Sequence, residues 1–274
     1  MIAEIIELLD AEMTEPGLYG WFHNLWLILT FGATVLLCKF FKEGTPKQVC
    51  TVVLSVALAV ILLEVYKQIN YTFSVDAQGK IQSDYQWYAF PFQFCSTPMY
   101  VGLLAGIIRK GRVHQSLCAY LATYAVFAGA AVMVYPADVF IKTIGINIQT
   151  MICHGSMITV GVYLLYTGYV KLEHKTILRA MPVFAIAVAL AAVMNEIAYL
   201  TGLLERETFN MFFVSRYCQS TLPVYGPVHE AVPFPLNLVI YILGFTAAAY
   251  IILLLAMLVK KLVQKPGKQQ PIPA

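Results

Sequence analysis

Cys95 and His154 are the residues of this chain whose types best suit covalent chemistry. Cys95 lies in the run Phe-Gln-Phe-Cys-Ser-Thr-Pro, and His154 lies in Cys-His-Gly-Ser. A free thiol has a pKa of about 8.5 and is mostly protonated at neutral pH. A neighbouring imidazole can take that proton, and the thiolate can then attack an ester to form an acyl-enzyme. These residue types indicate acyl transfer, with Cys95 as nucleophile and His154 as general base.

Further polar side chains in or beside the same apolar stretches are candidates to support this reaction. A carboxylate can orient the imidazole, as in a catalytic triad, and amide or guanidinium groups can stabilise an oxyanion. These candidates are Gln93, Glu64, Glu196, Asn195, Asn210 and Arg216. Spacing alone does not show that Cys95 and His154 touch. A thiol that only packs, and a histidine bonded to a neighbouring helix, remain alternatives.

The cysteine spacing argues against a metal site. The six cysteines are scattered irregularly and form no Cys-x-x-Cys pair, so neither a zinc site nor a disulfide framework is indicated. We expect no metal and no cofactor. The chain also lacks the basic and aromatic patterning of nucleic-acid binding proteins, so nucleic acid is not an expected partner.

Membrane-spanning helices are the elements that must position these residues. Hydrophobic residues make up 59% of the 274 and charged residues 12%, whereas soluble domains are roughly 45–50% apolar. A helix needs about 20 apolar residues to cross a bilayer. Seven segments qualify, namely 20–41, 48–71, 91–109, 115–135, 147–170, 176–201 and 233–262. The third is the weakest, because Pro91 and Pro98 interrupt it.

The predicted fold is therefore all-α: a polytopic membrane protein with one transmembrane domain over residues 1–262. Within that domain, residues 1–15 are predicted to form an amphipathic helix in the membrane interface, and residues 20–262 a seven-helix bundle. The long loop 202–231 is expected to dip back into the membrane around 210–214. Residues 263–274 are expected to form a disordered cytoplasmic tail.

The distribution of basic residues predicts the orientation. The odd-numbered loops and the C-terminal tail carry 13 of the 18 Lys and Arg residues, and such basic loops are cytoplasmic by the positive-inside rule. The acidic N-terminus is then outside and the C-terminus cytoplasmic, which an odd number of crossings requires. We expect an integral protein of the bacterial plasma membrane.

The orientation places the candidate residues at one depth. Ionisable side chains inside a membrane span are costly and usually functional. With seven crossings, Glu64, Glu196, Cys95 and His154 all fall in the outer half of the membrane. This convergence predicts a shared polar cavity there.

Three short motifs resemble the YwaF / transmembrane protein 164 family of multi-pass membrane proteins. They are Phe92-Gln93-Phe94-Cys95-Ser96, Cys153-His154-Gly155-Ser156, and Asn210-Met211-Phe212-Phe213 followed by Arg216 and Leu222-Pro223-Tyr225-Gly226-Pro227. The resemblance covers about residues 20–262. It implies an acyltransferase that moves a fatty acyl chain from a diacyl phospholipid to a lysophospholipid without coenzyme A, with Cys95 and His154 in the catalytic positions. Many bacterial relatives have a His where this chain has Gln93.

Three classes of function remain open at this stage. The first is a phospholipid acyltransferase or transacylase, or a lipid ester hydrolase, with membrane phospholipids and lysophospholipids as partners. The alternative is a transporter or channel that uses the intramembrane Glu and His cluster, but no paired repeat of interrupted helices supports it. The third class is a non-catalytic receptor or assembly factor, which is suggested only by analogy with other seven-helix folds.

Overall fold

The computed structural model describes residues 1–205 and 209–263. Residues 206–208 and 264–274 lie outside the described residues, and with them Arg206 and nearly all of the predicted tail. The described helices are α1 (Ile2–Leu9), α2 (Trp21–Phe40), α3 (Pro46–Asn70), α4 (Thr97–Ile108), α5 (Gly111–Tyr120), α6 (Val126–Val134), α7 (Ile144–Tyr166), α8 (Lys175–Leu200), α9 (Tyr225–Ala231) and α10 (Phe234–Val263). Strands β1 (Phe73–Val75) and β2 (Ile81–Ser83) form an antiparallel hairpin.

Six helices of the described chain are long and apolar enough to cross a membrane. They are Trp21–Phe40, Pro46–Asn70, Gly111–Val134, Ile144–Tyr166, Lys175–Leu200 and Phe234–Val263. These six match six of the seven predicted spans to within a few residues at each end. The all-α, polytopic membrane class is therefore confirmed.

The third predicted span, 91–109, is helical only over the 12 residues of α4. At about 1.5 Å per residue, α4 is roughly 18 Å long, which is less than the roughly 30 Å hydrocarbon core. Pro98 lies in the first turn of α4, where a missing N–H is tolerated, and the chain before it is irregular. The seventh crossing is not confirmed and stays a prediction.

The span Gly111–Val134 lies at the centre of the protein. A π-helical turn, Leu121–Ala125, joins α5 to α6 without a break. The most apolar part of this span is 72% buried inside the protein, against 11% for α10. Exposed apolar side chains such as Phe31 on α2 and Leu243 on α10 face outward, as lipid contact requires. The central helix and α7 therefore carry the core, and α2 and α10 are peripheral.

Close contacts at glycines give the relative directions of neighbouring helices. Gly102 of α4 packs against Ala57, and Gly106 packs against Leu54, so α4 runs antiparallel to α3. Between α7 and α2, the residue numbers of the contacting pairs instead increase in the same direction along both helices. Gly155 lies against Thr30, and the Thr159 hydroxyl is 2.9 Å from that of Thr34. Helix α7 is therefore parallel to α2.

The N-terminal helix is attached to one end of the bundle. The Tyr66 hydroxyl of α3 donates to the Leu9 carbonyl oxygen at 2.7 Å, and Met13 N donates to the Lys142 carbonyl oxygen at 2.7 Å. The remainder of the predicted 1–15 helix is not helical, since it pairs with the chain just before α7. These contacts connect α1 to α3 and α7.

The long loop before α10 packs into the protein over residues 209–215. Phe209, Asn210, Met211, Phe212 and Val214 are all buried. The middle of this segment, Met211–Phe213, is a tight turn in which the backbone of Phe212 is left-handed, with a φ angle of 56°. We call residues 209–215 the buried loop. The sequence predicted that the chain dips inward at this point, and its side chains do pack among the helices.

Candidate active site

The Cys95 side chain lies at the irregular start of α4. The Gln93 carbonyl oxygen accepts hydrogen bonds from the backbone N–H groups of Ser96 and Thr97 and from the Thr97 hydroxyl, at 3.0 to 3.1 Å. Pro98 has no backbone N–H, so it cannot donate the hydrogen bond that would extend the helix toward the N-terminus. The chain before it forms this compact turn instead. The turn leaves the Cys95 thiol free and partly buried.

An internal cavity of about 30 Å³ lies between α3, α4 and α7. Cys95 lines it from the turn before α4, and Cys153 and Ser156 line it from α7. A volume of that size holds about two water molecules. The thiol therefore faces a space that admits water and is far smaller than an acyl chain.

His154 is buried in α7, and one of its ring nitrogens is fixed by the helix itself. Nδ1 lies 2.7 Å from the Thr150 carbonyl oxygen. Because a carbonyl oxygen can only accept, Nδ1 carries the proton, and the Nε2 atom of the neutral ring bears a lone pair. Nε2 is buried and has no hydrogen-bond partner among the described residues. The ring is thus held in the neutral tautomer whose Nε2 atom can accept a proton.

Cys95 and His154 are not hydrogen-bonded to each other within the described chain. The thiol that faces Cys95 across the cavity belongs to Cys153, the residue directly before His154. Cys153 Sγ accepts a hydrogen bond from Gln149 Nε2 at 3.3 Å. Catalytic hydrogen bonds are often long in a free enzyme and shorten in the substrate complex. Cys153 lines the cavity together with Cys95, whereas His154 is not among the lining residues. A meeting of the candidate nucleophile and base stays a prediction.

Glu64 belongs to a buried polar network beside this cavity. Its carboxylate pairs with Lys67 Nζ at 2.9 Å and accepts from Gln68 Nε2 at 2.7 Å and Gln149 Nε2 at 3.5 Å. Gln149 therefore links Glu64 to Cys153. The group that orients His154 is the Thr150 carbonyl, whereas Glu64 contacts the ammonium and amide groups of this network.

The three candidate amides hold the buried loop in place. Gln93 Nε2 donates to the Asn210 carbonyl oxygen at 3.0 Å, and Phe212 N donates to Gln93 Oε1 at 2.8 Å. Asn195 makes the same kind of two-way pair with the Met211 backbone, at 3.0 and 2.8 Å. The Asn210 side chain accepts from Ser215 N at 2.9 Å. In this state the amide groups of Gln93 and Asn195 bind backbone rather than an open oxyanion position.

Glu196 and Arg216 form an ion pair with each other, half exposed. Arg216 Nε and Nη2 each lie 2.9 Å from a different Glu196 oxygen, and the Tyr217 hydroxyl donates to Glu196 at 2.7 Å. Hydrogen bonding to Glu196 raises the pKa of the Arg216 guanidinium. The described contacts of Glu196 and Arg216 do not include Cys95 or His154.

Three residues of the site, Gln149, Lys67 and Thr150, were not predicted from the sequence. Gln149 and Thr150 lie four residues before Cys153 and His154, and Lys67 lies three residues after Glu64. Residues at these spacings are neighbours on a helix surface. Helical spacing from the residues already selected was therefore a signal that could have found all three.

Two larger grooves adjoin the thiol-lined cavity. One, of about 540 Å³ between α3 and α4, is lined by Glu64, Gln68 and Thr72 and shares Met99 with the cavity. The other, of about 420 Å³ between α2, α3 and α7, shares four lining residues with the cavity, namely Val56, Val60, Ser156 and Val160. No group of three or more His, Cys, Asp or Glu side chains suited to a metal ion occurs in the described part of the chain.

Long apolar helices around a buried thiol and imidazole define a multi-pass integral membrane protein. The chain belongs to the TMEM164 family, because the family's sequence model matches residues 18–259. The resemblance predicted from the three motifs is thereby confirmed, and the match includes every candidate site residue from Glu64 to Arg216. Comparisons with curated proteins and with solved structures found no match.

Proposed function

We propose that the protein is a membrane-embedded phospholipid acyltransferase that works through an acyl thioester on Cys95. The observation that carries the proposal is the buried His154 ring. Its Nδ1 is bonded to the Thr150 carbonyl, and its Nε2 has no partner in the described part of the chain, as a general base requires. Family membership and the partly buried Cys95 thiol support the same reading.

The reaction proceeds in two balanced steps. In the first, His154 Nε2 takes the Cys95 proton, and the sulfur attacks an acyl ester of a diacyl phospholipid. The ester C–O bond breaks, the thioester forms, and the lysolipid oxygen leaves with the proton from the imidazolium. In the second, His154 deprotonates a lysolipid hydroxyl, which attacks the thioester and regenerates the thiol. With water as acceptor the same steps give a lipid hydrolase.

Glu64, Gln93, Asn195, Asn210, Glu196 and Arg216 act in support. Gln93 holds the buried loop against the start of α4, next to the nucleophile, and Asn195 holds it against α8. Each amide nitrogen has two N–H groups and uses at most one of them in these bonds, so a second N–H can donate to an oxyanion. Glu64 and Lys67 set the local charge beside the cavity.

A seven-crossing topology in the bacterial plasma membrane, with the N-terminus outside, completes the proposal. Two helix relations support it. Helix α4 is antiparallel to α3, and α7 is parallel to α2. Alternating crossings produce both relations only when α4 counts as a crossing. The phospholipid ester then meets Cys95 in the outer half of the membrane.

The test is acyl transfer in proteoliposomes that contain a diacyl phospholipid and a lysophospholipid but no coenzyme A. We expect Cys95→Ala to abolish transfer and to remove a hydroxylamine-sensitive acyl adduct detected by mass spectrometry. We expect His154→Ala to slow transfer by about 10²–10⁴-fold, the usual contribution of a general base.

Cys153→Ala is the matched control, because Cys153 lines the same cavity. It should retain the adduct and most of the transfer. Full transfer by both Cys95→Ala and His154→Ala would disprove the mechanism. An adduct that follows Cys153 instead would move the nucleophile to α7.

A further inference from the structure

The thiol-lined cavity is too small for the acyl chain that the proposed function attaches to Cys95. Its volume of about 30 Å³ suits about two water molecules. A chain on the sulfur must therefore extend into one of the two grooves that adjoin the cavity. The choice between the grooves depends on their lining residues.

The groove between α3 and α4 is the less suited of the two to an alkyl chain. Its lining is mostly apolar but includes the charged Glu64, with Gln68 and Thr72, and Glu64 carries an ion pair with Lys67. An alkyl chain laid against these groups would remove water from charged and polar atoms without offering them a hydrogen bond. The groove also meets the thiol cavity at one shared residue, Met99.

The groove between α2, α3 and α7 has no charged side chain in its lining. Most of its lining is apolar, and it includes Trp26, Leu29, Ala33, Ala59, Met151 and Ile152. The hydroxyl group of Thr159 is already bonded to that of Thr34. From Met151 to Val160 the groove follows α7 for roughly 13 Å at the rise of an α-helix. Gly155 lies against Thr30, so the absence of a side chain there lets α2 and α7 approach.

The cavity and this second groove are adjacent. Val56 and Val60 of α3 and Ser156 and Val160 of α7 line both spaces. A chain attached to Cys95 and extended into the groove would pass between α3 and α7, beside these three valines and one serine hydroxyl.

We propose that the groove between α2, α3 and α7 is the acyl-chain subsite, and that its α2 side, at Ala33, limits the length of the transferred chain. This inference rests on the proposed function, which supplies the acyl group. It assigns chain-length specificity to α2, a helix that contributes no residue to the catalytic pair.

Photocrosslinking tests the subsite without any turnover. The full-length Cys95→Ala protein is placed in phosphatidylcholine vesicles that contain a phosphatidylcholine with a diazirine in one acyl chain. We expect crosslinks concentrated on α2 and α7 peptides, and at least a fivefold loss of them in Ala59→Trp, which fills the groove from α3. Ala247→Trp, at an exposed alanine of α10, should leave them unchanged.

Crosslinks on α4, or equal labelling of all lipid-facing helices that Ala59→Trp does not change, would overturn the subsite. Because the protein in this test lacks the thiol, the result does not depend on whether Cys95 is the nucleophile.

Chain selectivity gives the second test, on the active protein. Donor lipids with short and long acyl chains compete for transfer, and the transferred chains are identified by mass spectrometry. We expect Ala33→Trp to lower transfer of the long chain relative to the short one by about 10-fold, while Ala247→Trp keeps the wild-type ratio. An unchanged ratio in Ala33→Trp would overturn the subsite, whereas an absence of transfer in the wild type would overturn only the proposed function.

Discussion

The Gln93 side chain, two residues before Cys95, is hydrogen-bonded to a strained part of the backbone of the buried loop. Phe212 and Phe213 have φ angles of 56° and 57°, in the left-handed region that residues other than glycine rarely adopt. Such residues each cost on the order of 1–3 kcal/mol unless their surroundings hold them. Gln93 bonds to the backbone of Asn210 and Phe212, and the ring of Phe94 stacks on that of Phe212.

We predict that Gln93→Leu destabilises the protein strongly. The substitution keeps the size of the side chain but leaves the Phe212 N–H without its partner and removes one of the two hydrogen bonds to the Asn210 carbonyl, which still accepts from Phe213 N at 3.2 Å. A buried backbone group left unpaired costs about 1–3 kcal/mol, so the free energy of unfolding should fall by about that amount. Thermal or denaturant unfolding in detergent micelles measures it.

The control for this substitution is Gln115→Leu, at an exposed glutamine, which should change stability by less than about 0.5 kcal/mol. Equal stability of the two variants would mean that the buried loop does not depend on Gln93.

At the scale of elements, the corner between α4 and α5 is held by a buried histidine. His114 Nδ1 lies 3.0 Å from the Ala105 carbonyl oxygen, and its Nε2 lies 2.6 Å from the Tyr169 hydroxyl. Ala105 is in the last turn of α4, where helix carbonyls lack intrahelical partners. One imidazole thus connects α4, α5 and the segment after α7.

We predict that Tyr169→Phe lowers the free energy of unfolding by about 0.5–1.5 kcal/mol, because it removes the short hydrogen bond to the buried His114 Nε2 and leaves that atom only the Cys118 thiol, 3.5 Å away. Tyr166→Phe is the matched control, since the Tyr166 ring is exposed. Its stability should equal that of the wild type in the same unfolding assay. A Tyr169→Phe protein as stable as this control would show that the corner does not need the bond.

The β1–β2 hairpin depends on one exposed carboxylate. Asp76 accepts from the backbone N–H of Lys80 at 2.9 Å and of Gln78 at 3.0 Å, and from the Gln82 amide at 2.6 Å. The hydrogen bond from the Lys80 backbone, followed by that from Gln82, lowers the pKa of Asp76.

We predict that the hairpin loosens in acid. A lowered folded-state pKa means that the carboxylate contributes stability above the ordinary Asp pKa of about 3.9, and this contribution disappears as the pH falls through the lowered value. NMR signals of the Gln78 and Lys80 amides should shift over that range. In Asp76→Asn the acid-induced shift should be absent, and its persistence would assign the transition to another group.

For the whole molecule, the short helix α4 decides the number of crossings. Six helices among residues 1–205 and 209–263 are long enough to span a membrane, and a membrane protein with six crossings would have both termini on one side. The basic residues favour seven, since 13 of 18 lie in the odd loops and the tail. The irregular residues before α4 would then cross the rest of the membrane packed inside the protein, where exposed backbone groups are tolerated.

We predict that alkaline phosphatase inserted at Gly79 is active outside the membrane, and that the same insertion at Lys110 is inactive. Gly79 precedes α4, and Lys110 follows it. An insertion at Asp138, after α6, should be active again and serves as the control for folding. Activity at both Gly79 and Lys110 would mean that α4 does not cross.

The sequence by itself determined the membrane class, six of the spans and the family, and it predicted Cys95 and His154 as the catalytic pair. It could do so because the requirement for about 20 apolar residues is local, and because an ionisable residue in such a run is costly. Tertiary structure decided which distant groups meet. It joined Gln93 and Asn195 to the buried loop, paired Glu196 with Arg216, brought Gln149 to Glu64, and left the Nε2 of His154 without a hydrogen-bond partner among the described residues. In the tertiary structure the third predicted span is helical only over the 12 residues of α4. Contacts between residues 93 and 210 or 64 and 149 depend on how helices pack, and the side chains that make them have no periodicity that the sequence reveals.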